Sequence, residues 1–182
     1  VYGTGTRTHH NISATGGSDR VRFFASIGYL NEDGNIDNYG YNRLNLRSNI
    51  DAKLTKSLTF TLGVSGRIEK RDSPRYSADP NAWHNVPQQI IRALPYVPDT
   101  YEYEGKTYNV STPTASSPVA PVASINESGY SKSNYSYVQS NFSLKYDAPW
   151  LKGLSFKFQG AYDLTYNFSK ILSNPYEVMI MN

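Results

Sequence analysis

His9 and His10 are the residues best suited by type to hold a metal, and their spacing forbids it. In an extended chain adjacent side chains point to opposite faces, so two neighbouring imidazoles cannot chelate one ion from a strand. His84 is the only other histidine and cysteine is absent, which removes zinc constellations, disulfides and thiolate nucleophiles together. The sequence has no phosphate-binding loop, nucleophile elbow or spaced carboxylate pair, so it suggests neither an enzyme nor a cofactor. What remains is aromatic chemistry. Sixteen Tyr stand against seven Phe and two Trp, and a ring with one wet end suits bilayer interfaces and carbohydrate- or protein-binding faces. Trp83, Tyr96, Tyr101, Tyr103 and Tyr108 gather in one stretch, as candidates to stack on sugar rings, to pack against a partner, or to pack within the stretch itself. Six N-x-S sequons (Asn11, Asn109, Asn126, Asn134, Asn141, Asn167) read as chance, because a polar strand face alternating Asn and Ser generates them.

The elements that must position these side chains read as long strands. In "LSFKFQGAYDLTYNF", Leu154, Phe156, Phe158, Gly160, Tyr162, Leu164, Tyr166 and Phe168 fall on one face, and Ser155, Lys157, Gln159, Ala161, Asp163, Thr165 and Asn167 on the other. An ordinary strand has about 5–6 residues, whereas a tilted strand crossing a bilayer needs roughly 9–11 plus its interfacial ends. Five more stretches repeat the pattern: "HNISATGG", "RVRFFASIGYLN", "YNRLNLRSNIDAKL", "LTFTLGVSGRI" and "YSYVQSNFSLKYD". Only 38% of residues are hydrophobic and mean hydropathy is −0.55. No apolar run approaches the roughly 18 residues of a membrane helix, but a barrel needs only every second residue apolar. Leu62, Phe142, Phe156 and Phe158 are therefore expected to face lipid. Arg47, Arg67, Asn141, Lys157, Gln159 and Asp163 are expected to face a lumen, along with Arg22, Asp51 and Lys145. A sandwich core would not accept such charges unpaired; a wet or plugged lumen would, and so would the solvent face of a soluble sheet.

Connections alternate in length. "GGSD", "LTKS" and "APWLKG" are tight turns, while "EDGNIDNYG" and a stretch of about sixty residues are long, the layout of short periplasmic turns and long extracellular loops. The expected organisation is strands 1–4 in residues 1–68, a long extracellular insertion in 69–133, and strands 5–6 with a following loop in 134–182. Within the insertion, Asp79 with Pro80 can start a short helix, and the spacing after Pro87 predicts a helix with Ile90, Ile91 and Leu94 on its apolar side. A hairpin is expected around Glu104 and Gly105, and "STPTASSPVAPVASI" is expected to be extended. Tyr29, Tyr41, Tyr135, Tyr137, Tyr162 and Tyr166 lie toward the long-loop ends, with Tyr146 and Trp150 at a short-turn end, as two interfacial belts would require. Net charge is +3, dispersed along the chain, so a nucleic-acid partner is not supported.

Taken in order, "HNISATGGSDRVRFFASIGYLNEDGNI", "YNRLNLRSNIDAKLTKSLTFTLGVSGR" and "APWLKGLSFKFQGAYD" resemble the barrel of the SusC/RagA family of TonB-dependent outer-membrane transporters. The resemblance covers residues 10–68 and 135–166, and the insertion only by position. It implies an all-β antiparallel up-and-down meander, about six strands of a 22-stranded transmembrane barrel in a Gram-negative outer membrane. It also implies an N-terminal plug, a SusD-like surface lipoprotein as lid, energy from TonB, and import of oligosaccharides or peptides. The chain starts at Val1 and supplies no plug or TonB-contacting segment, so it is expected to be barrel wall and extracellular loop from something longer. The alternatives are a soluble secreted β-sheet module that binds glycans, and a passive porin or adhesin barrel.

Overall fold

The computed structural model describes residues 3–77, 85–112 and 119–180. Six strands form one antiparallel sheet: β1 (Thr6–Gly17), β2 (Val21–Asp33), β3 (Gly40–Lys53), β4 (Leu58–Pro74), β7 (Gly129–Asp147) and β8 (Ser155–Ser173). They neighbour one another in chain order, apart from the insertion between β4 and β7, so the sheet is an up-and-down meander with β1 and β8 at its edges. The insertion holds a 3-10 turn (Arg75–Ser77), α1 (Val86–Arg92), the hairpin β5 (Thr100–Tyr103) and β6 (Lys106–Ser111), and α2 (Pro121–Asn126). After β8, β9 (Met179–Ile180) adds to β6 in parallel. None of the described helices is long and apolar enough to cross a membrane.

Register carries the chemistry across the sheet. One row reads Gly16, Phe23, Ile50, Leu62, Phe142, Gly160, and two residues along the next reads Val64, Ser140 and Tyr162 beside Ala14, Ala25 and Ser48. The alternate rows run Thr15, Phe24, Asn49, Gly63, Asn141, Ala161 and Ser13, Ser26, Arg47, Ser65, Gln139, Asp163. Leu62, Phe142, Phe156 and Phe158 therefore share one face, and Arg47, Arg67, Asn141, Lys157, Gln159 and Asp163 the other. Phe23, Phe142, Phe156, Phe158 and Leu164 stay exposed. The apolar face is unburied over six strands, which water alone would not tolerate in so large a patch.

Phe156 to Tyr166 spans ten residue steps of β8, about 33 Å along the strand and about 25 Å in height at a tilt of about 40°, equal to the height of the apolar band in outer-membrane barrels. Beyond it the strands continue. The expected boundaries at 68 and 134 move outward, because β4 runs to Pro74 and β7 starts at Gly129. "EKRDSP" reads as loop by composition, yet Glu69 to Pro74 pair with β7, and charged residues cost little in a ladder standing clear of the bilayer.

The insertion departs from expectation in two places. α1 buries Val86 and Gln89 with Ile90 half-buried beside them, while Ile91 is 81% exposed and turns away, and the half-buried Leu94 lies beyond the end of the helix. Gln89 is buried because its amide is hydrogen-bonded into the next helix. Of "STPTASSPVAPVASI", residues 121–125 are helical rather than extended, since Pro121 at a helix start loses no needed N–H. The Asp79 and Pro80 helix start, Trp83 and His84 lie outside the described residues. The hairpin forms as expected, with Glu104 (φ 49°) and Gly105 (φ 75°) in the left-handed pair that a two-residue turn needs.

Gly160 leaves room for the Phe142 ring, whose atoms lie 2.6 Å from where a Cβ would sit; Gly16 does the same for Phe23 at 2.9 Å. Gly160→Ala in the intact protein is expected to destabilise by about 1–3 kcal/mol through displacement of that ring. Gly66→Ala, whose methyl meets nothing nearer than 3.9 Å, is expected to be neutral or slightly stabilising. Urea unfolding of the protein in bilayers measures the difference, and equal midpoints for the two variants contradict it.

Candidate functional site

Two regions gather groups able to recognise something: the polar face of the sheet and the folded insertion. On the polar face, Arg47, Asn49, Gln139, Asn141 and Asp163 surround a hollow of about 480 Å³ floored by Gly63. A second hollow of about 290 Å³ shares Arg47 and Gln139 and reaches Arg67 and Tyr137. The structure thus brings together Arg47, Arg67, Asn141 and Asp163. Gln159 and Lys157 lie one and two rows nearer the short turns, where Lys145 opposes Lys157 and holds Asp147 at 2.9 Å. Side-chain amides and a cation beside a carboxylate offer hydrogen bonds without a titrating nucleophile, which suits transient polar contact and not bond-breaking.

Toward the long-loop end the polar face becomes an arginine cluster around one carboxylate. Glu69, 5% exposed, accepts from Arg67 at 3.0 Å and Arg71 at 3.1 Å. Tyr137 lies 4.3 Å from the Arg67 guanidinium, and Tyr41 and Tyr135 lie 5.5 and 5.4 Å from that of Arg71. Arg43 is beside Glu69 in register. Arg7 and Glu32 pair at 2.8 Å at the rim of a neighbouring cleft of about 590 Å³, lined also by Tyr39, Tyr41 and Arg71. The exposed Arg7–Glu32 pair contributes about 0–1 kcal/mol, whereas the buried Glu69 carboxylate is held by two guanidiniums at once.

The insertion has the buried core that the sheet lacks. Val86, Val110, Val119, Ala120, Ala123 and Ile125 supply its apolar part and Gln89, Ser111, Ser124 and Ser128 its polar part. Gln89 Oε1 accepts from the Ala120 amide at 3.2 Å and from Ser124 Oγ at 2.9 Å. Ser124 Oγ lies 2.7 Å from Tyr176 Oη. With the Ser124 hydroxyl committed to Gln89, Tyr176 is the donor of that bond. Ser111 Oγ accepts from the Val119 amide at 2.8 Å. Burial raises the Tyr176 phenol above its ordinary value, and Tyr76 and the Glu127 carboxylate raise it further; Ser124 opposes this only if its hydroxyl turns from Gln89.

Tyr101, Tyr103 and Tyr108 lie on one side of the hairpin. Tyr101 pairs with Tyr108, Tyr103 pairs with Lys106, and Lys106 Nζ sits 4.7 Å over the Tyr108 ring. Tyr96 stands apart after α1, 78% exposed. Composition had no means of finding the Gln89–Ser124–Tyr176 chain, whose members are 35 and 52 residues apart; Pro121 as a helix start was the one readable hint. His9 and His10 alternate faces, opposite Leu30 and Tyr29, and no metal-ligating group occurs among the described residues.

No family model matches the chain. It is similar to TonB-dependent receptor P3 of Formosa agariphila, 31% identical over 72 residues, which is 40% of this chain and 7% of that protein. TonB-dependent receptor P39 of the same organism is 31% identical over 68 residues, 37% of this chain and again 7% of the relative. The chain thus matches only a small part of either relative's length. Among solved structures, the RagAB peptide importer in its "closed-closed" state superposes with a TM-score of 0.63 at 22% identity, over 97% of this chain and 20% of the matched one. The six-strand meander and its packed insertion are therefore a recurring fold.

Two outcomes test the insertion's core. Gln89→Leu keeps the volume and strands the Ala120 amide, at a cost of about 1–3 kcal/mol, so hydrogen exchange at Ala120 and Ser124 is expected to quicken at least about fivefold; unchanged exchange contradicts the network. Because the Tyr176 phenol is raised in the folded state, its contribution to stability is complete below its unfolded value of about 10 and falls as pH rises from there through the folded value. Hydrogen exchange of α2 is expected to quicken over that alkaline range in the wild type and to respond less in Tyr176→Phe.

Proposed function

We propose that this chain, a stretch of SusC/RagA-like TonB-dependent transporter, forms about six adjacent wall strands of an outer-membrane barrel that imports oligosaccharides or peptides. The observation that carries this is the unbroken register, which keeps an apolar face and a charged face apart across all six strands. Leu62, Phe142, Phe156 and Phe158 meet lipid. Arg47, Arg67, Asn141, Lys157, Gln159 and Asp163 line the passage or contact the plug that fills it. The folded insertion stands outside the cell, where Trp83, Tyr96, Tyr101, Tyr103 and Tyr108 contact substrate or a SusD-like lipoprotein lid. The role is transport and not catalysis: energy comes from TonB through other parts of the transporter. The exposed apolar band argues against the soluble glycan-binding module, and likeness to TonB-dependent receptors argues against a passive porin.

The test uses the full-length transporter. In bilayers, Phe158→Cys is expected to resist a water-soluble thiol reagent and Gln159→Cys to react; labelling of both removes the lipid assignment. Tyr101→Ala combined with Tyr103→Ala is expected to leave assembly intact and weaken uptake or lid binding by about tenfold or more, the scale of aromatic anchors at an interface. Wild-type uptake together with wild-type lid affinity makes the hairpin a cover only.

A further inference from the structure

The apolar face ends in cations that import does not use. Above the row Leu44, Ile68, Ser136, Tyr166 comes Asn42, Lys70, Asn134, Phe168, and above that Gly40, Asp72, Lys132, Lys170. These residues share the face of Phe142 and Phe158. The next row holds Pro74, Tyr130 and Leu172. Lys132 Nζ lies 5.1 Å and Lys170 Nζ 5.8 Å from the centroid of the same Tyr130 ring. Each ammonium is attracted to the ring, and two cations gathered beside one ring make a local positive site that a shared anion would stabilise. Asp72 is the carboxylate of that row, yet among the described residues no ion pair joins it, or any other acid, to Lys70, Lys132 or Lys170. Three ammonium groups thus stand around one carboxylate.

Height identifies the anion. Lys170 is four residues beyond Tyr166, about 10 Å above the aromatic edge of the band at a tilt of about 40°, and a lysine stem reaches back several ångströms. That is the headgroup layer. We propose that Lys132 and Lys170, seated on Tyr130 and supported by Lys70, bind the phosphate of an outer-leaflet lipid headgroup. Phe168 and Leu172, exposed on the same face below and above the lysines, supply apolar contact for the rest of the molecule. The inference rests on the reading of this face as lipid-facing.

The test is native mass spectrometry of the full-length protein released from nanodiscs, titrated with phosphatidic acid, with diacylglycerol, which lacks the phosphate, and with inorganic phosphate. Lys132→Gln combined with Lys170→Gln is expected to weaken phosphatidic acid binding by roughly tenfold to thirtyfold, from the worth of two lysines near an anionic surface. Diacylglycerol binding should be unaffected, and Lys145→Gln combined with Lys157→Gln on the opposite face should change neither. Wild-type affinity in the first variant, or equal loss in the second, overturns the proposal. Displacement of the lipid by inorganic phosphate at equal concentration assigns the site to the free anion and overturns the headgroup. Labelling of Phe158→Cys in the same nanodiscs would show that the lipid-facing reading itself has failed; protection of that cysteine with unchanged lipid affinity in the lysine variant confines the failure to this site.

Discussion

Within hydrocarbon every backbone N–H and C=O must find a partner on another strand, so a wall that crosses it can contain no gap in its ladders. β1 to β4, β7 and β8 meet that demand with pairings that run unbroken for twelve to nineteen residues. Once the ladders are continuous, a side-chain period of two places every residue on a definite face, and a slip of one residue would turn Phe142 inward and Asn141 outward along a whole strand. The tight turns fix the register against this. Ser18 Oγ accepts from the Arg20 and Val21 amides, Thr55 Oγ1 from the Ser57 amide, and the seven-residue turn after β7 closes with Ala148 donating to Leu154 and Gly153 in the left-handed region. Three local turns therefore decide which side chains share a face tens of ångströms away.

The same constraint explains where the buried core is. A single-layer sheet has no second layer to pack against, so among the described residues six of the eight buried hydrophobic side chains lie in the insertion, and Leu30 and Ala148 are the others. Outside the bilayer, water competes for every polar group, and the insertion can use Gln89, Ser111, Ser124 and Ser128 as core because each is hydrogen-bonded. It is also tied to the wall. Asn38 Nδ2 donates to Ile125 O at 3.1 Å, Arg75 Nε donates to Ser173 Oγ, and the Asn174 amide donates to Ser128 O at 3.0 Å. Gly129 enters β7 at φ 99°, where a Cβ would strike Leu172 O. An insertion anchored at both strand ends holds Tyr101 and Tyr103 at a fixed place beside the sheet, and such ordering lowers the entropy cost of any contact made there.

Strand existence and the two faces were legible in the sequence because both follow from alternation, which is local, and the order of pairing from the short turns "GGSD", "LTKS" and "APWLKG" that join successive strands. Phe156, Phe158, Lys157 and Gln159 can be assigned to faces from four consecutive letters. The strand ends were not, because "EKRDSP" and "SGYSKS" have the composition of loop and are held in strand by partners more than fifty residues distant. The core of the insertion was legible even less. Ile91 has the helical spacing of a packing residue and is exposed, while Gln89 has the chemistry of a surface residue and is buried, since what decides between them is the Ala120 amide and Ser124 hydroxyl. Propensity and spacing carry no information about a partner thirty residues away.

Charge at the long-loop end follows the environment of each face. Toward the long-loop end the polar face carries Arg7, Arg43, Arg67 and Arg71, and the apolar face carries Lys70, Lys132 and Lys170. A guanidinium is planar and weakly hydrated, so it can stack on Tyr41, Tyr135 and Tyr137 while two of the set share Glu69. An ammonium is a compact, strongly hydrated point charge on a flexible stem, suited to a wet interface where the counter-ion moves. Exchanging the two kinds would leave net charge unchanged, but an ammonium would not fork onto Glu69 and stack on tyrosine as Arg67 and Arg71 do, and a guanidinium would not supply the compact, mobile charge of Lys70, Lys132 and Lys170. The identity of each cation, as well as its sign, is therefore part of what separates the two sides of this wall.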